Sequence, residues 1–339
     1  MHTKAAVAGL GAAAALTGAA LMYKAPSGVK LFADDTLSGE DYRFMAYVSE
    51  YGKSYGTVAE FMFRKGQFVA RHNEIEAFNA DANNTHTVGH NLFSDKTYAE
   101  MKKLNGYKAI AKESNAVILE ETNEASVDWR TKNAVTPVKN QAQCGSCWAF
   151  STTGSVEGAD AIKTGTLKSF SEQQLVSCSK QNSGCNGGLM DYAFQYIKSA
   201  PLELEANYPY TSGAGRVSSC TYNKSKGVGT VSAFTDVQAG SASQMKAALS
   251  SKGPVSIAIE ADQMAFQSYT GGVISSGCGQ NLDHGVLAVG YGTESGEDYY
   301  LVKNSWGSGW GDKGYIKIGV SSGAGVCGIQ EAAVRPSAN

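Results

Sequence analysis

The uneven distribution of cysteine is the feature that most constrains how this chain can fold. All seven cysteines lie in the last 196 of the 339 residues, and the first 143 residues contain none. An odd number of cysteines in a secreted protein indicates disulfide pairs plus one free thiol, although a chance unpaired cysteine would give the same count. A zinc site is less favoured, because it usually needs two short pairs of ligands and only Cys144 and Cys147 form one. The sequence therefore predicts a cysteine-free N-terminal region and a cross-linked C-terminal region.

The first 23 residues predict a signal peptide. Lys4 is followed by an uncharged run from Ala5 to Tyr23, which is the order of a positive segment and an apolar segment. Small residues at Gly18 and Ala20 favour cleavage after Ala20. An uncleaved membrane anchor is the alternative, because the run approaches the length of a membrane-spanning helix. In either case the rest of the chain enters the secretory pathway, where disulfides persist.

The N-terminal region is predicted to be helical over residues 38–80. Aromatic and apolar side chains recur at spacings of three and four residues, as on the buried face of a helix: Phe44, Tyr47, Val48 and Tyr51. A second set falls on one helix face at the same spacings: Glu60, Arg64, Phe68, Arg71, Ile75 and Asn79. The segment Gly89–Asp95 alternates apolar and polar positions, which favours a short edge strand. Residues 96–122 are polar and end in a linker.

The C-terminal region combines predicted helices with predicted strands. Helices are expected over Cys147–Lys163 and Leu189–Lys198, with another capped at its start by Ser171. Short β-rich runs between glycine clusters predict strands: Val228–Phe234, Val255–Ile259, Val286–Tyr291, Tyr299–Asn304 and Tyr315–Ile318. This part of the chain therefore pairs a helical lobe with a β lobe. The net charge of −2 provides no basic surface for nucleic acid, and 42% hydrophobic residues suffice for a core.

The segment around Cys147 carries the clearest chemical signal. Gly145 and Ser146 predict a tight turn, after which a helix begins at Cys147 and its positive end favours a thiolate. His284 is the single histidine of the cysteine-containing region. Asn304 can accept its ring N–H, so the three residues supply nucleophile, base and orienting group. A thiol oxidoreductase is the alternative that the Cys-x-x-Cys pair suggests, but the βαβ context of that motif is missing.

Four blocks in this order resemble the papain family of cysteine peptidases. They are Ser126–Arg130, Cys144–Trp148, Gly184–Met190 and Asn304–Gly311. His284 and Asn304 follow Cys147 by 137 and 157 residues, against roughly 130–150 in the family signature.

The N-terminal region is similar to that of the cathepsin L branch. The face from Glu60 to Asn79 resembles its ERFNIN helix, with one departure, Arg71 in place of asparagine. Gly89-x-Asn-x-Phe-x-Asp95 resembles a second prodomain motif of that branch.

The resemblance implies an α+β proenzyme with a signal peptide (1–20), a helical inhibitory prodomain (21–122) and a two-lobed, papain-like peptidase domain (123–339). The β lobe is expected to be barrel-like. The segment 96–122 is expected to run through the cleft opposite to the direction of a substrate. Acid is expected to promote activation by protonating carboxylates such as Asp95 and Glu60. Cleavage is expected near residues 120–125.

Catalytic roles follow from the same resemblance. Cys147 would attack the peptide carbonyl, and His284 would pair with it and protonate the leaving amine. Asn304 would orient His284, and Trp306 would shield that hydrogen bond from water. Gln141 would stabilise the oxyanion together with the backbone N–H of Cys147.

The resemblance also implies three disulfides and a substrate pocket. The disulfides are Cys144–Cys185, Cys178–Cys220 and Cys278–Cys327, which leaves Cys147 free. Uncharged pocket walls are expected from Leu189, Met190, Ala258, Leu282 and Ala332. Gly187 and Gly188 would leave room for the substrate backbone, and Asp283 would tune His284. The expected preference is for Phe, Leu or Val two residues before the scissile bond.

Protein and peptide substrates, the chain's own prodomain and cystatin-type inhibitors are the implied partners of a monomer. No nucleic acid, cofactor or metal is expected. The implied compartment is the lysosome, a digestive vacuole or the outside of the cell. An inert papain-like binding or storage protein is the alternative function, disfavoured because all four catalytic positions are occupied. Asn83 and Asn223 lie in glycosylation sequons.

Overall fold

The fold is described by a computed structural model covering residues 38–111 and 113–338. The predicted signal peptide lies outside the described residues. No helix within these two ranges is long and apolar enough to cross a membrane.

Two helices, rather than one continuous helical stretch, form the N-terminal region: α1 (Gly39–Glu50) and α2 (Val58–Ala80). The chain turns between them at Gly52, whose φ of 59° lies in the left-handed region that favours glycine. Ser38 and Thr57 cap the two helix starts with their side-chain oxygens. The predicted aromatic face is buried between the helices, where Phe44 and Tyr47 pack against Phe68.

The edge strand predicted for Gly89–Asp95 is wrong in position. The strand β1 (His86–Val88) ends just before that segment, and residues 92–95 form a turn. The Asn91 side chain accepts a hydrogen bond from Phe93 N at 2.9 Å, and the main-chain N–H of Asn91 donates to Ser94 Oγ at 3.0 Å. These local bonds compete with strand pairing. A short helix, α3 (Tyr98–Lys102), follows.

The predicted helices of the C-terminal region are confirmed with small shifts at their ends. They are α4 (Cys147–Thr164), α5 (Glu172–Cys178) and α6 (Met190–Ser199). Two further helices, α7 (Ala242–Lys252) and α8 (Met264–Gln267), belong to the β lobe. Helix α4 packs against the sheet, where Ser151 Oγ donates to Val286 O at 2.7 Å.

One mixed sheet forms the β lobe. Its strands after β1 are β2 (Val127–Asp128), β3 (Ala233–Asp236), β4 (Val255–Ile259), β5 (Tyr269–Ile274), β6 (His284–Glu294), β7 (Glu297–Lys303), β8 (Tyr315–Gly319) and β9 (Ala333–Ser337). The order is β1-β5-β8-β7-β6-β4-β9-β3, with β2 paired to β6. The strand predicted at Val228–Phe234 starts late, at Ala233. Strands β5 and β9 were not predicted.

The sheet joins the two regions of the chain, because β1 pairs antiparallel with β5. Six cysteines form the pairs that the resemblance implied: Cys144–Cys185, Cys178–Cys220 and Cys278–Cys327. Cys147 is the free cysteine, and it is buried.

Candidate active site

Cys147 is held at the first residue of α4, directly against the first strand residues of β6. Its Sγ accepts hydrogen bonds from Gly285 N at 3.3 Å and from Gly106 N at 3.1 Å. Burial raises the pKa of the Cys147 thiol to about 11, although these two N–H groups lower it. The thiolate expected from the helix terminus is therefore not favoured in this state, because burial penalises the charged form of the sulfur.

His284 begins β6 and lies beneath an indole ring. Its Nε2 is 2.9 Å from Asn304 Oδ1, and its ring centroid is 4.9 Å from that of Trp306. Burial lowers the pKa of His284 to about 4, while the bond to Asn304 opposes this shift. The imidazole and the Cys147 thiol are therefore both neutral at neutral pH. The charge of Asp283, the residue expected to tune His284, contributes to the raised pKa of Cys147.

Gln141 lies in the loop before α4 and is fully buried. Its Nε2 donates to Leu104 O at 2.8 Å and to Cys144 O at 2.7 Å. Ser305, which was not predicted as a site residue, donates its Oγ to Gln141 Oε1 at 2.7 Å. The Ser305 N–H also donates to Asn304 Oδ1 at 2.7 Å, so one serine connects the two side chains.

The N-terminal region crosses this site as an extended chain. Gly188 N donates to Gly106 O at 2.8 Å, and Lys108 N donates to Gly188 O at 3.0 Å. These bonds make a parallel bridge between Tyr107 and Gly188. Asp283 binds the same segment twice, through its main-chain oxygen to Tyr107 N and through Oδ2 to the Asn105 side chain. The Asn-Gly pair at 105–106 was the one sequence signal for this close passage.

A cavity of about 320 Å³ adjoins the crossing. It is lined in part by Met190, Leu282, Ala332, Tyr107, Ile110, Asp191, Asp236 and Glu331. Three of the five expected wall residues are among them. Leu189 and Ala258 are buried at 3% and 0% exposure but do not line it. Three acidic residues, Asp191, Asp236 and Glu331, also belong to the lining of this cavity.

Comparison with known proteins agrees with this geometry. The sequence profile described as papain family cysteine protease matches residues 123–337. This chain belongs to the papain family of cysteine proteases. The profile described as cathepsin propeptide inhibitor domain (I29) matches residues 44–101. The N-terminal region of this papain-family protease is therefore an inhibitory propeptide, and the full chain is a zymogen.

Relatives with the same organisation are found in animals and plants. The protease is 42% identical over 315 residues to cathepsin L of Sarcophaga peregrina, covering 86% of this chain and 91% of the relative. It is 45% identical over 288 residues to germination-specific cysteine protease 1 of Arabidopsis thaliana, covering 80% and 74%. Digestive procathepsin L 3 of Tenebrio molitor larval midgut superposes with a TM-score of 0.80 at 38% identity, covering 89% and 100%. The protease is cathepsin L-like.

The propeptide is held together by Asp95, the last residue of its second motif. Asp95 accepts hydrogen bonds from Tyr47, Lys53 and Tyr55 at 2.9, 2.9 and 3.0 Å. Burial alone would raise the pKa of Asp95, but Lys53 and the two hydroxyls lower it below its usual value. Glu60, the other carboxylate expected to form a charge pair in the prodomain, lies 3.8 Å from Arg64, and its side chain is 44% exposed.

Two further contacts attach the propeptide to the protease domain. Phe93 packs edge-on against Trp306, with ring centroids 5.5 Å apart. Arg71, the departure from the ERFNIN pattern, is buried, stacks over Tyr98 and reaches Gln267 Oε1 at 3.5 Å. The unusual residue therefore faces the protease domain as well as its own helix.

Proposed function

We propose that the mature protease is an endopeptidase with Cys147 as nucleophile and His284 as the group that takes and returns the proton. Asn304 orients His284, and Trp306 covers their hydrogen bond. Gln141 Nε2 and the Cys147 N–H stabilise the oxyanion of the tetrahedral intermediate. The supporting observation is that Gln141 Nε2 donates to a peptide carbonyl oxygen, that of Leu104, two residues before the Gly106 whose N–H donates to the sulfur.

The propeptide blocks the site without becoming a substrate. At the sulfur it presents the N–H of Gly106, so the sulfur lone pair accepts a hydrogen bond from the propeptide main chain. Removal of the propeptide returns water to the cleft, which lowers the pKa of the thiol and raises that of the imidazole. The charged nucleophile pair therefore forms only after activation.

We propose that the pocket beside Met190, Leu282 and Ala332 selects an apolar or aromatic side chain two residues before the scissile bond. Tyr107 of the propeptide lines the cavity beside these residues, and its ring packs against the apolar core of the helical lobe. Burial, followed by the charges of Asp191 and Asp236, raises the pKa of Tyr107 to about 12. Both carboxylates line the same cavity as Tyr107, whereas the Tyr107 ring packs against apolar groups.

We also propose a processing site, an oligomeric state, a class of inhibitor and a compartment for the enzyme. Processing would fall near residues 120–125, giving a mature chain that starts close to 123. The monomeric enzyme would meet cystatin-type inhibitors in a lysosome, a digestive vacuole or the extracellular space. Three disulfides support an oxidising compartment.

Titration with an epoxysuccinyl thiol probe tests the catalytic assignment. One rapidly labelled cysteine, Cys147, is expected in the processed protein and none in the intact zymogen. Labelling of Cys147 should abolish hydrolysis of Phe-Arg substrates. A processed, folded protein that neither reacts with the probe nor cleaves such substrates would contradict the proposal.

A further inference from the structure

We propose that the mature protease has a second peptide-binding site, formed by the outer edge of β3 and by Gln244 on α7. Its ligand is the part of a polypeptide substrate that lies far upstream of the scissile bond. The proposal rests on the proposed function, because it assigns this site to substrates of the same catalytic centre.

Strand β3 is the last strand of the sheet, with β9 as its neighbour in the sheet order. Its outer main-chain groups are bonded by a propeptide side chain: Asn115 Oδ1 accepts from Asp236 N at 2.7 Å, and Asn115 Nδ2 donates to Phe234 O at 3.2 Å. The Asn115 N–H also donates to Asp236 Oδ2 at 3.2 Å. A carboxamide thus occupies the hydrogen-bonding positions that an added strand would fill.

Gln244 binds the main chain of the propeptide four residues further on. Its Oε1 accepts from Leu119 N at 2.8 Å, and its Nε2 donates to Leu119 O at 3.0 Å. Gln244 is 5% exposed, and Leu119 packs against the core of the β lobe. Between these two anchors, Val117 and Ile118 are 60% and 66% exposed. The site therefore recognises the backbone and one apolar side chain, and it selects little among the side chains that lie between the two anchors.

The site is continuous with the catalytic cleft. From Gly106 at the sulfur, the propeptide passes Ile110 at the cavity and reaches Asn115 and Leu119 about nine and thirteen residues on. Because substrate runs in the opposite direction, its residues about nine to thirteen before the scissile bond would reach the site.

Reversal of the chain is compatible with both anchors. Rotation of the Gln244 carboxamide by half a turn exchanges its donor and acceptor. An edge strand pairs with a parallel or an antiparallel neighbour. Removal of the propeptide uncovers this site and the cleft together.

Two fluorogenic substrates with the same four residues before the scissile bond would test the proposal. The short substrate begins at the first of these four residues. The long substrate carries ten further residues upstream of them, which include asparagine and leucine. The processed enzyme should cleave the long substrate with a kcat/KM about tenfold higher, mainly through KM. Gln244→Ala should remove most of this advantage, whereas Ser243→Ala on the same helix should keep it.

A competition experiment on the unmodified enzyme supplies the second measurement. A free peptide of residues 113–121 lacks Gly106, the propeptide residue that contacts the Cys147 sulfur. It should therefore inhibit cleavage of the long substrate and leave cleavage of the short substrate unaffected. The second site would be overturned if the ratio of kcat/KM for the long and short substrates were the same in the parent and in Gln244→Ala. It would also be overturned if the peptide inhibited cleavage of both substrates equally. Failure of the processed enzyme to cleave either substrate would instead contradict the proposed function.

Discussion

The side-chain Nε2 of Gln141 donates a 2.8 Å hydrogen bond to the main-chain oxygen of Leu104. Two residues further along the propeptide, the N–H of Gly106 donates to the sulfur of Cys147. The proposed oxyanion donor and the proposed nucleophile are thus both occupied by one segment, but by groups of two different peptide units. Inhibition therefore depends on main-chain placement, and four predictions follow from it and from the groups around it.

Gly106→Ala is expected to loosen the propeptide in the cleft. A Cβ at this position would overlap the carbonyl oxygen of Gly145, which is backbone and cannot rotate away. Overpacking of this kind costs about 1–3 kcal/mol, so propeptide affinity should fall by about 10- to 100-fold. The intact variant should label with an epoxysuccinyl probe at neutral pH. Gly66→Ala, in open space on α2, is the control and should remain latent.

Histidine is expected to set the acid activation range. His86 on β1 is buried between Phe78 and Tyr269, and burial lowers its pKa to about 4. Because the pKa in the unfolded chain is about 6.5, the unfolded state binds the proton first. The free energy that holds β1 in place therefore falls as the pH drops from about 6.5 to 4, by up to about 1.4 kcal/mol per unit.

His86→Phe should accordingly slow processing about tenfold at pH 5 and leave it unchanged at pH 7.5, where the imidazole is neutral anyway. The free energy of unfolding, measured by urea denaturation in a Cys147→Ser background that cannot cleave itself, should show the same pH dependence. Asp95 has a lowered pKa, so its stabilisation is lost only below about pH 4. Processing at pH 5 with parental speed would show that His86 is not the acid-sensitive group.

Gln141→Ala should lower kcat by about 10²–10³, with KM little changed, because the lost donor acts on the transition state. Ser305→Ala leaves the amide in place but removes the bond that orients it, so a smaller loss of about tenfold is expected. Steady-state kinetics of both variants and of the double variant would measure this relation. Additive losses would contradict it, since Ser305 is proposed to act through Gln141.

Ala332→Glu should shift specificity from Phe-Arg toward Arg-Arg substrates. Ala332 lines the cavity with Met190 and Leu282, and a carboxylate there would pair with an arginine that the apolar walls otherwise desolvate. The ratio of kcat/KM for the two substrates should change by at least tenfold. An unmodified enzyme that already cleaves Arg-Arg as well as Phe-Arg would show that Asp191, Asp236 and Glu331 dominate the pocket.

The sequence by itself determined the parts of this protein that depend on local pattern. Helix α4 and its nucleophile, the strand that starts near His284, and the aromatic face around Phe44 follow from periodicity and helix-terminus signals. The match to family blocks gave the disulfide pairs. These features could be predicted because each is encoded within one segment or one motif.

Tertiary structure alone decided the state of the site. Contacts between distant segments bury the Cys147 thiol and thereby raise its pKa, although the N–H of Gly106, 41 residues away in sequence, lowers it. Leu189 and Ala258, expected as pocket walls, are 3% and 0% exposed, and Asp236 and Glu331 from other parts of the chain line the cavity. Segment 89–95 alternates like a strand, yet the Asn91 turn prevails. Burial and electrostatics are sums over contacts between distant segments, so no pattern within one segment specifies them.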